Sequence, residues 1–106
     1  MNKYHAEKVT INGIKFDSKH EAQRWSELVL LERARAINDL QLQVKFPLIP
    51  KSQYGREIVY VADFTYYEDG KLVVEDAKSS ITRKNPVYRL KRRMFMERYH
   101  LRIKET

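Results

Sequence analysis

The sequence predicts one α/β (α+β) domain spanning residues 1–106, ordered as a small N-terminal hairpin, helix, three strands, helix and strand. Three observations carry that reading. Two runs of β-branched and aromatic residues surround Asp69-Gly70, the strongest short signal for a two-residue hairpin loop. Two capped segments of helical periodicity bracket the strands. A last apolar pair, Leu101 and Ile103, follows the second helix.

In chain order, Val9 to Phe16 reads as a hairpin about Asn12-Gly13. Asp17-Ser18 then opens a helix, with Ser18 and Glu21 spaced as a capping box. Ala22, Trp25, Leu28, Val29 and Glu32 follow at helical spacing, and the helix is expected to end between Ala36 and Asn38. Leu40, Leu42, Val44, Phe46 and Leu48 alternate with Gln41, Gln43 and Lys45, a half-buried strand stopped by Pro47 or Pro50. A polar loop, 52–56, leads into the central hairpin, 57–78. Its strands are apolar on both faces, which predicts a sheet covered on both sides. Residues 79–84 read as a polar, basic loop. Asn85-Pro86 then supplies a cap and a first-turn proline. Val87, Leu90, Met94 and Phe95 form the expected buried stripe of the second helix, with Arg89, Arg92 and Arg93 on a basic face.

Composition narrows the function classes. Hydrophobic residues make up 42% of the chain, a globular value that argues against wholesale disorder. No apolar run reaches the ~18 residues of a membrane span, so no membrane partner is expected. Residues 1–8 lack the apolar core of a signal peptide, and a cytoplasmic setting is expected. The absence of cysteine excludes a disulfide framework and a thiolate metal site. His5, His20 and His100 are too scattered to suggest zinc. The net charge is +7, and residues 83–104 alone hold nine basic residues against Glu97, or +8, leaving the remainder near neutral. A cationic end of this kind suits a polyanion, nucleic acid first and an acidic membrane surface second; the plain alternative is a solvated helix face. Tyr88, Phe95 and Tyr99, set among these charges, read as packing residues.

The acidic residues point to chemistry. Folding about Asp69-Gly70 pairs Glu68 with Lys71 and Tyr67 with Leu72, and continuing outward sets Asp63 opposite Asp76. Directly opposed Cβ atoms lie about 5 Å apart, where like charges destabilise a sheet. Two carboxylates so placed call for a positive partner, and a hard divalent cation such as Mg²⁺ takes carboxylate oxygens. Lys78 falls on the face of Asp76. Asp-x-Lys also occurs at Asp17 and Asp69, but only Asp76 and Lys78 close an apolar strand. Two structural alternatives stand beside this: a solvated strand end, or Lys78 neutralising Asp63 or Asp76. Glu75 pairs with Phe64 on the other face unless a bulge reverses it. Glu21 is either a member of the capping box or a carboxylate of the same site, and helix geometry alone favours the cap.

The order of helix with Glu21, strand with Asp63, strand with Asp76-Ala77-Lys78, basic helix and final strand resembles the PD-(D/E)XK nuclease superfamily. More narrowly it resembles small phage proteins related to junction-resolving endonucleases, over residues 14–103. Ala62 stands where the superfamily name has proline. The resemblance implies a restriction-endonuclease-like αβββαβ core with a mixed four-stranded sheet flanked by helices. It also implies divalent-metal hydrolysis of DNA phosphodiesters, with Mg²⁺ as cofactor and Mn²⁺ as substitute. By matching positions, Asp63 is the central metal ligand, Asp76 and the Ala77 carbonyl are further ligands, and Glu21 binds metal or its water. Lys78 would orient that water or offset transition-state charge; as a free general base it would need a strongly lowered pKa. Lys91 and Arg92 are candidate DNA-backbone contacts, followed by Arg89, Arg93, Arg83 and Lys84, and residues 79–82 a candidate phosphate-binding loop. The resemblance further implies branched DNA such as Holliday junctions, a homodimer making two cuts, and a host-cell cytoplasm if the chain is phage-encoded. The alternative from another class is a non-catalytic nucleic-acid-binding module on a nuclease-like fold.

Overall fold

The computed structural model describes residues 8–106. His5 and most of the segment read for a signal-like core lie outside the described residues. A two-stranded hairpin, β1 (Val9–Ile11) and β2 (Ile14–Phe16), precedes helix α1 (Lys19–Arg33). Strands β3 (Asn38–Ile49), β4 (Ile58–Glu68) and β5 (Lys71–Asp76) follow, then a short α2 (Ser80–Arg83), α3 (Pro86–Tyr99) and β6 (Ile103–Glu105). The main sheet has the order β3-β4-β5-β6; its first two pairings are antiparallel and β5-β6 is parallel. This is an αβββαβ arrangement with a mixed four-stranded sheet, to which α2 is added. Among the described residues no helix is long and apolar enough to cross a membrane.

Both hairpin turns behave as their dipeptides dictate. Asp69 and Gly70 take φ of 52° and 76°, the left-handed pair that a tight reversal between twisted strands needs. Ser18 caps α1 by accepting the Glu21 N–H at 3.1 Å. The helix stops at Arg33, short of the expected 36–38. Arg35 turns left-handed (φ 63°), so its N–H reaches the Glu32 carbonyl and that of Ala36 the Leu31 carbonyl. That is a Schellman closure with arginine in the glycine position. Strand β3 runs through Pro47 and ends at Ile49, just before Pro50, the second of the two expected stops. It is an edge strand, where a missing N–H costs no ladder bond, and the Tyr99 hydroxyl donates to the Pro47 carbonyl at 2.7 Å. Within residues 79–84, expected as a loop, Ser80–Arg83 form α2, capped by the Ser79 hydroxyl.

Helix α3 starts as predicted, with Asn85 Oδ1 accepting the N–H groups of Val87 and Tyr88 and Pro86 in the first turn. Its buried stripe differs from the expected one. Val87 and Leu90 are 62% and 61% exposed. Phe95 is fully buried, and Tyr88, Met94, Met96 and Tyr99 of the same helix, all half-buried, pack in its core, so Met94 and Phe95 keep their expected places. Tyr88 and Met96 fill the places that the apolar pattern assigned to Val87 and Leu90.

The sheet is covered on both sides, and its two cores exchange strand faces. Leu40, Leu42, Phe64 and Tyr66 pack with Phe16, Ala22, Trp25 and Leu28 on the α1 side. Phe46, Leu48, Tyr60 and Ala62 pack with Phe95 and Tyr99 on the α3 side. All the β3 and β4 members are even-numbered, so simple alternation would put each strand's set on one face. The pairs Leu42–Phe64 and Val44–Ala62 nonetheless share one unbroken register. Both strands therefore invert together at the intervening pair, Gln43 and Asp63. The expected single buried face of β3 is in fact split between two cores.

Candidate active site

The two strands that carry the aspartates come apart where the aspartates stand. Regular β4-β5 pairing extends to Phe64 and Glu75. Beyond it, the Asp63 N–H donates to Asp76 Oδ1 at 3.1 Å, and the Ala77 N–H donates to Asp63 Oδ2 at 2.9 Å. Each carboxylate thus replaces a ladder bond with the other strand. The Tyr60 hydroxyl donates to Asp76 Oδ2. Lys78 Nζ sits between the aspartates, 3.6 Å from Asp63 Oδ2 and 3.5 Å from Asp76 Oδ1, and 5.6 Å from the centre of the Tyr88 ring. Glu21, in the first turn of α1, is buried and accepts from Gln43 Nε2 at 3.2 Å. Its backbone N–H meets the Ser18 cap while its carboxylate points to this cluster. The two roles weighed for Glu21 thus divide between its backbone and its side chain.

Electrostatics set this cluster apart. Burial, then the nearby Asp63 and Asp17, pushes Glu21 up to about 7. Burial raises Asp76 to about 6 against the pull of Lys78, and it raises Asp63 as well. Burial alone would lower Lys78, but Asp63, Asp76 and Glu21 together hold its ammonium above the ordinary lysine range. When all are ionised, three carboxylates face one ammonium, leaving two uncompensated negative charges. A cavity of about 640 Å³ opens on the cluster, lined by Glu21, Ala77 and Lys78 on one side and by Ser79 to Arg83 on the other.

The chain belongs to the family described as "Protein of unknown function (DUF1064)", which it matches over residues 1–105. No curated protein and no solved structure matches it.

The donor set of this family member suits a hard cation in kind, being three carboxylates without sulfur or nitrogen. A carboxylate offers about four acceptor positions, so the existing bonds leave lone pairs on Asp63 and Asp76. The spacing is not that of an assembled centre. Among the described residues no three His, Cys, Asp or Glu side chains are grouped closely enough to hold an ion, and the Lys78 ammonium holds the place between the aspartates.

On the opposite face, Glu75 is tied to Arg24 by two bonds of 2.6 and 3.0 Å, to the Tyr66 hydroxyl at 2.6 Å and to the Thr106 hydroxyl at 3.1 Å. It forms a closed structural cluster, and no bulge brings it to the aspartates.

The basic residues divide in a way the charge count did not show. Arg83 lines the cavity, and Lys84, Arg89 and Arg93 are exposed beyond it. Arg93 also pairs with Glu97 at 3.6 Å on the surface. Arg92, expected on the basic face, turns inward and binds Glu105 at 3.0 Å; Lys91 is half-buried. Arg98 donates to the Leu48 carbonyl.

Sequence reasoning missed Tyr60 and Gln43. Both alternate with apolar or polar neighbours in ordinary strand patterns. Only the β3-β4 register, with Gln43 opposite Asp63, would have exposed the second.

Proposed function

We propose that this protein is a divalent-metal-dependent endonuclease that hydrolyses DNA phosphodiester bonds. The observation that carries the reading is the under-neutralised trio of buried carboxylates, Glu21, Asp63 and Asp76, beside a cavity lined by Glu21, Lys78 and Arg83. Such a group favours an incoming cation, because binding one relieves repulsion and desolvation that the fold otherwise carries. Asp63, Asp76 and the Ala77 carbonyl would hold Mg²⁺, with Glu21 beside them. The ion would supply charge stabilisation at the scissile phosphate and an acidified water.

The chain's own residues do the rest. Lys78 is charged, not a free base, and its 3.5–3.6 Å reach to both aspartates lets it move toward a phosphate oxygen when an ion takes its place. Tyr60 and the Asp63 N–H fix the Asp76 carboxylate. Arg83, Lys84, Arg89 and Arg93 bear on the phosphodiester backbone, and Arg92 is reassigned to structure. A branched substrate and a homodimer belong to the same reading through the superfamily resemblance alone, and a cytoplasmic setting through the sequence composition.

The deciding experiment is cleavage of duplex, flap and four-way DNA with Mg²⁺ or Mn²⁺, by wild type, Asp63→Ala and Asp76→Ala. Cutting by wild type, lost in both variants while DNA affinity persists, is expected. A wild type that cuts no DNA or RNA favours the second reading, a nucleic-acid-binding module without catalysis. That reading has one observation on its side: Lys78 already stands between the aspartates, where the ion would go.

A further inference from the structure

We propose that Gln43 is a positioning residue of this site, clamping Glu21 and Asp63 at the point where β3 and β4 exchange faces. The inference rests on the nuclease reading for what the carboxylates do, and on geometry for how they are held.

Gln43 falls between the paired residues Leu42–Phe64 and Val44–Ala62, directly opposite Asp63. Its φ is 52°, in the left-handed region. For a residue with a Cβ this conformation is strained, and it persists where the surroundings over-determine it. A β-bulge is the usual reason for such a residue within a strand, but the register does not shift across Gln43. What changes there is the face: Leu42 lies in the α1-side core and Phe46 in the α3-side core. The left-handed residue is therefore the hinge of that inversion. The inversion in turn leaves Asp63 at the crossover, within electrostatic reach of Glu21 on α1 and of Lys78 beyond β5.

The side chain uses the same position. Its amide donates to Glu21 Oε1 at 3.2 Å, and its place in the β3-β4 register sets it across from Asp63. An amide group has two N–H donors and no charge, so it can bridge two carboxylates without neutralising either. An arginine or lysine there would neutralise the trio. A glycine would satisfy the backbone and leave Glu21 and Asp63 unbridged. The pairing of a strained backbone with a neutral bridging donor is what a residue kept for positioning looks like.

The test separates backbone from amide. Gln43→Gly removes the amide and relieves the left-handed strain; Gln43→Ala removes the amide and keeps the strain. The glycine variant is expected to melt at or above wild type and the alanine variant below it. Mn²⁺ affinity, measured by calorimetry on the protein without nucleic acid, is expected to fall about 10–100-fold in both. Affinity that follows melting temperature instead, with the glycine variant like wild type, overturns the proposal. If wild type itself binds no Mn²⁺, the nuclease reading fails. Gln43 is then judged on the crystal structure of Gln43→Gly: a Glu21 carboxylate swung away from Asp63 supports the clamp, and an unmoved one overturns it.

Discussion

Glu75 and Asp76 are adjacent on β5, both 0% exposed, and they face opposite sides of the sheet. On one side, the Glu75 carboxylate is matched by the Arg24 guanidinium through two bonds and by two hydroxyls. Burial alone would raise it, but Arg24 and Tyr66 hold it below the ordinary glutamate range. On the other side, Asp76 shares one ammonium with Asp63 and Glu21, and burial lifts it to about 6. Both side chains are out of solvent, and their shifts differ in direction with how completely each charge is answered. A closed ion pair is architecture. An open one, beside a cavity, is a place where a ligand can supply the missing charge.

The sharpest way to break this contrast is to remove each charge in turn. Glu75→Ala leaves Arg24 mostly buried with only the half-exposed Glu27, at 3.1 Å, to answer its charge, and a loss of about 3 kcal/mol is expected. Asp76→Asn keeps an acceptor for the Asp63 N–H and reduces the crowding of negative charge. Without metal near neutral pH, its stability should equal or exceed that of wild type. Denaturant melts of both variants decide the point; equal destabilisation would mean that the two faces are alike.

A second test adds the missing charge. Mg²⁺ at about a hundred times its dissociation constant should stabilise wild type by about 2.7 kcal/mol if it binds the folded state alone. That increment should vanish in Asp63→Ala and remain in Glu75→Gln, if the latter folds. Thermal melts with Mg²⁺ and with a chelator read it directly.

The two faces should also respond to pH with opposite sign. Glu21 and Asp76 bind protons more tightly folded than unfolded, so the folded chain carries more protons between about pH 4 and 7. Metal-free stability therefore falls as pH rises through that window. Glu75 does the reverse: its contribution is present above the unfolded glutamate value and is lost as pH falls below it. A metal-free stability maximum at about pH 4 is expected, with the high-pH slope reduced in Asp76→Asn and flattened by Mg²⁺. Stability that climbs steadily to pH 8 without metal would contradict the open cluster.

Most of the fold could be read from local chemistry. Asp69-Gly70 alone set the β4-β5 register, and with it the meeting of Asp63 and Asp76, because a two-residue turn leaves no freedom in the pairing. Asn85-Pro86 located the start of α3 for the same kind of reason. Long-range features were not legible. The face exchange at Gln43 depends on how two helices divide one sheet, which alternation within a strand cannot show. The inward turn of Arg92 depends on Glu105 of the parallel strand β6, a partner fixed only by the completed sheet. The Glu21 side chain was ambiguous because the capping box and the carboxylate cluster use the same residue, and only packing against β3 separates them.

The cationic end repeats the comparison at smaller scale. Arg92 is answered by Glu105, which also accepts from the Tyr88 hydroxyl at 2.7 Å, whereas Arg89 stands exposed and Arg93 has one solvent-screened partner. Arg92→Ala should therefore cost about 1 kcal/mol of stability, as a partly exposed ion pair does, and leave the salt dependence of DNA binding nearly unchanged. Replacing both Arg89 and Arg93 with alanine should leave stability near wild type. It should also reduce the slope of log affinity against log salt by about 2, one for each phosphate that is no longer neutralised. Fluorescence anisotropy with a labelled duplex over a salt series measures both slopes. If Arg92→Ala flattens the slope as much as the double variant, the ion pair to Glu105 opens on binding, and this arginine belongs with the DNA-binding residues after all.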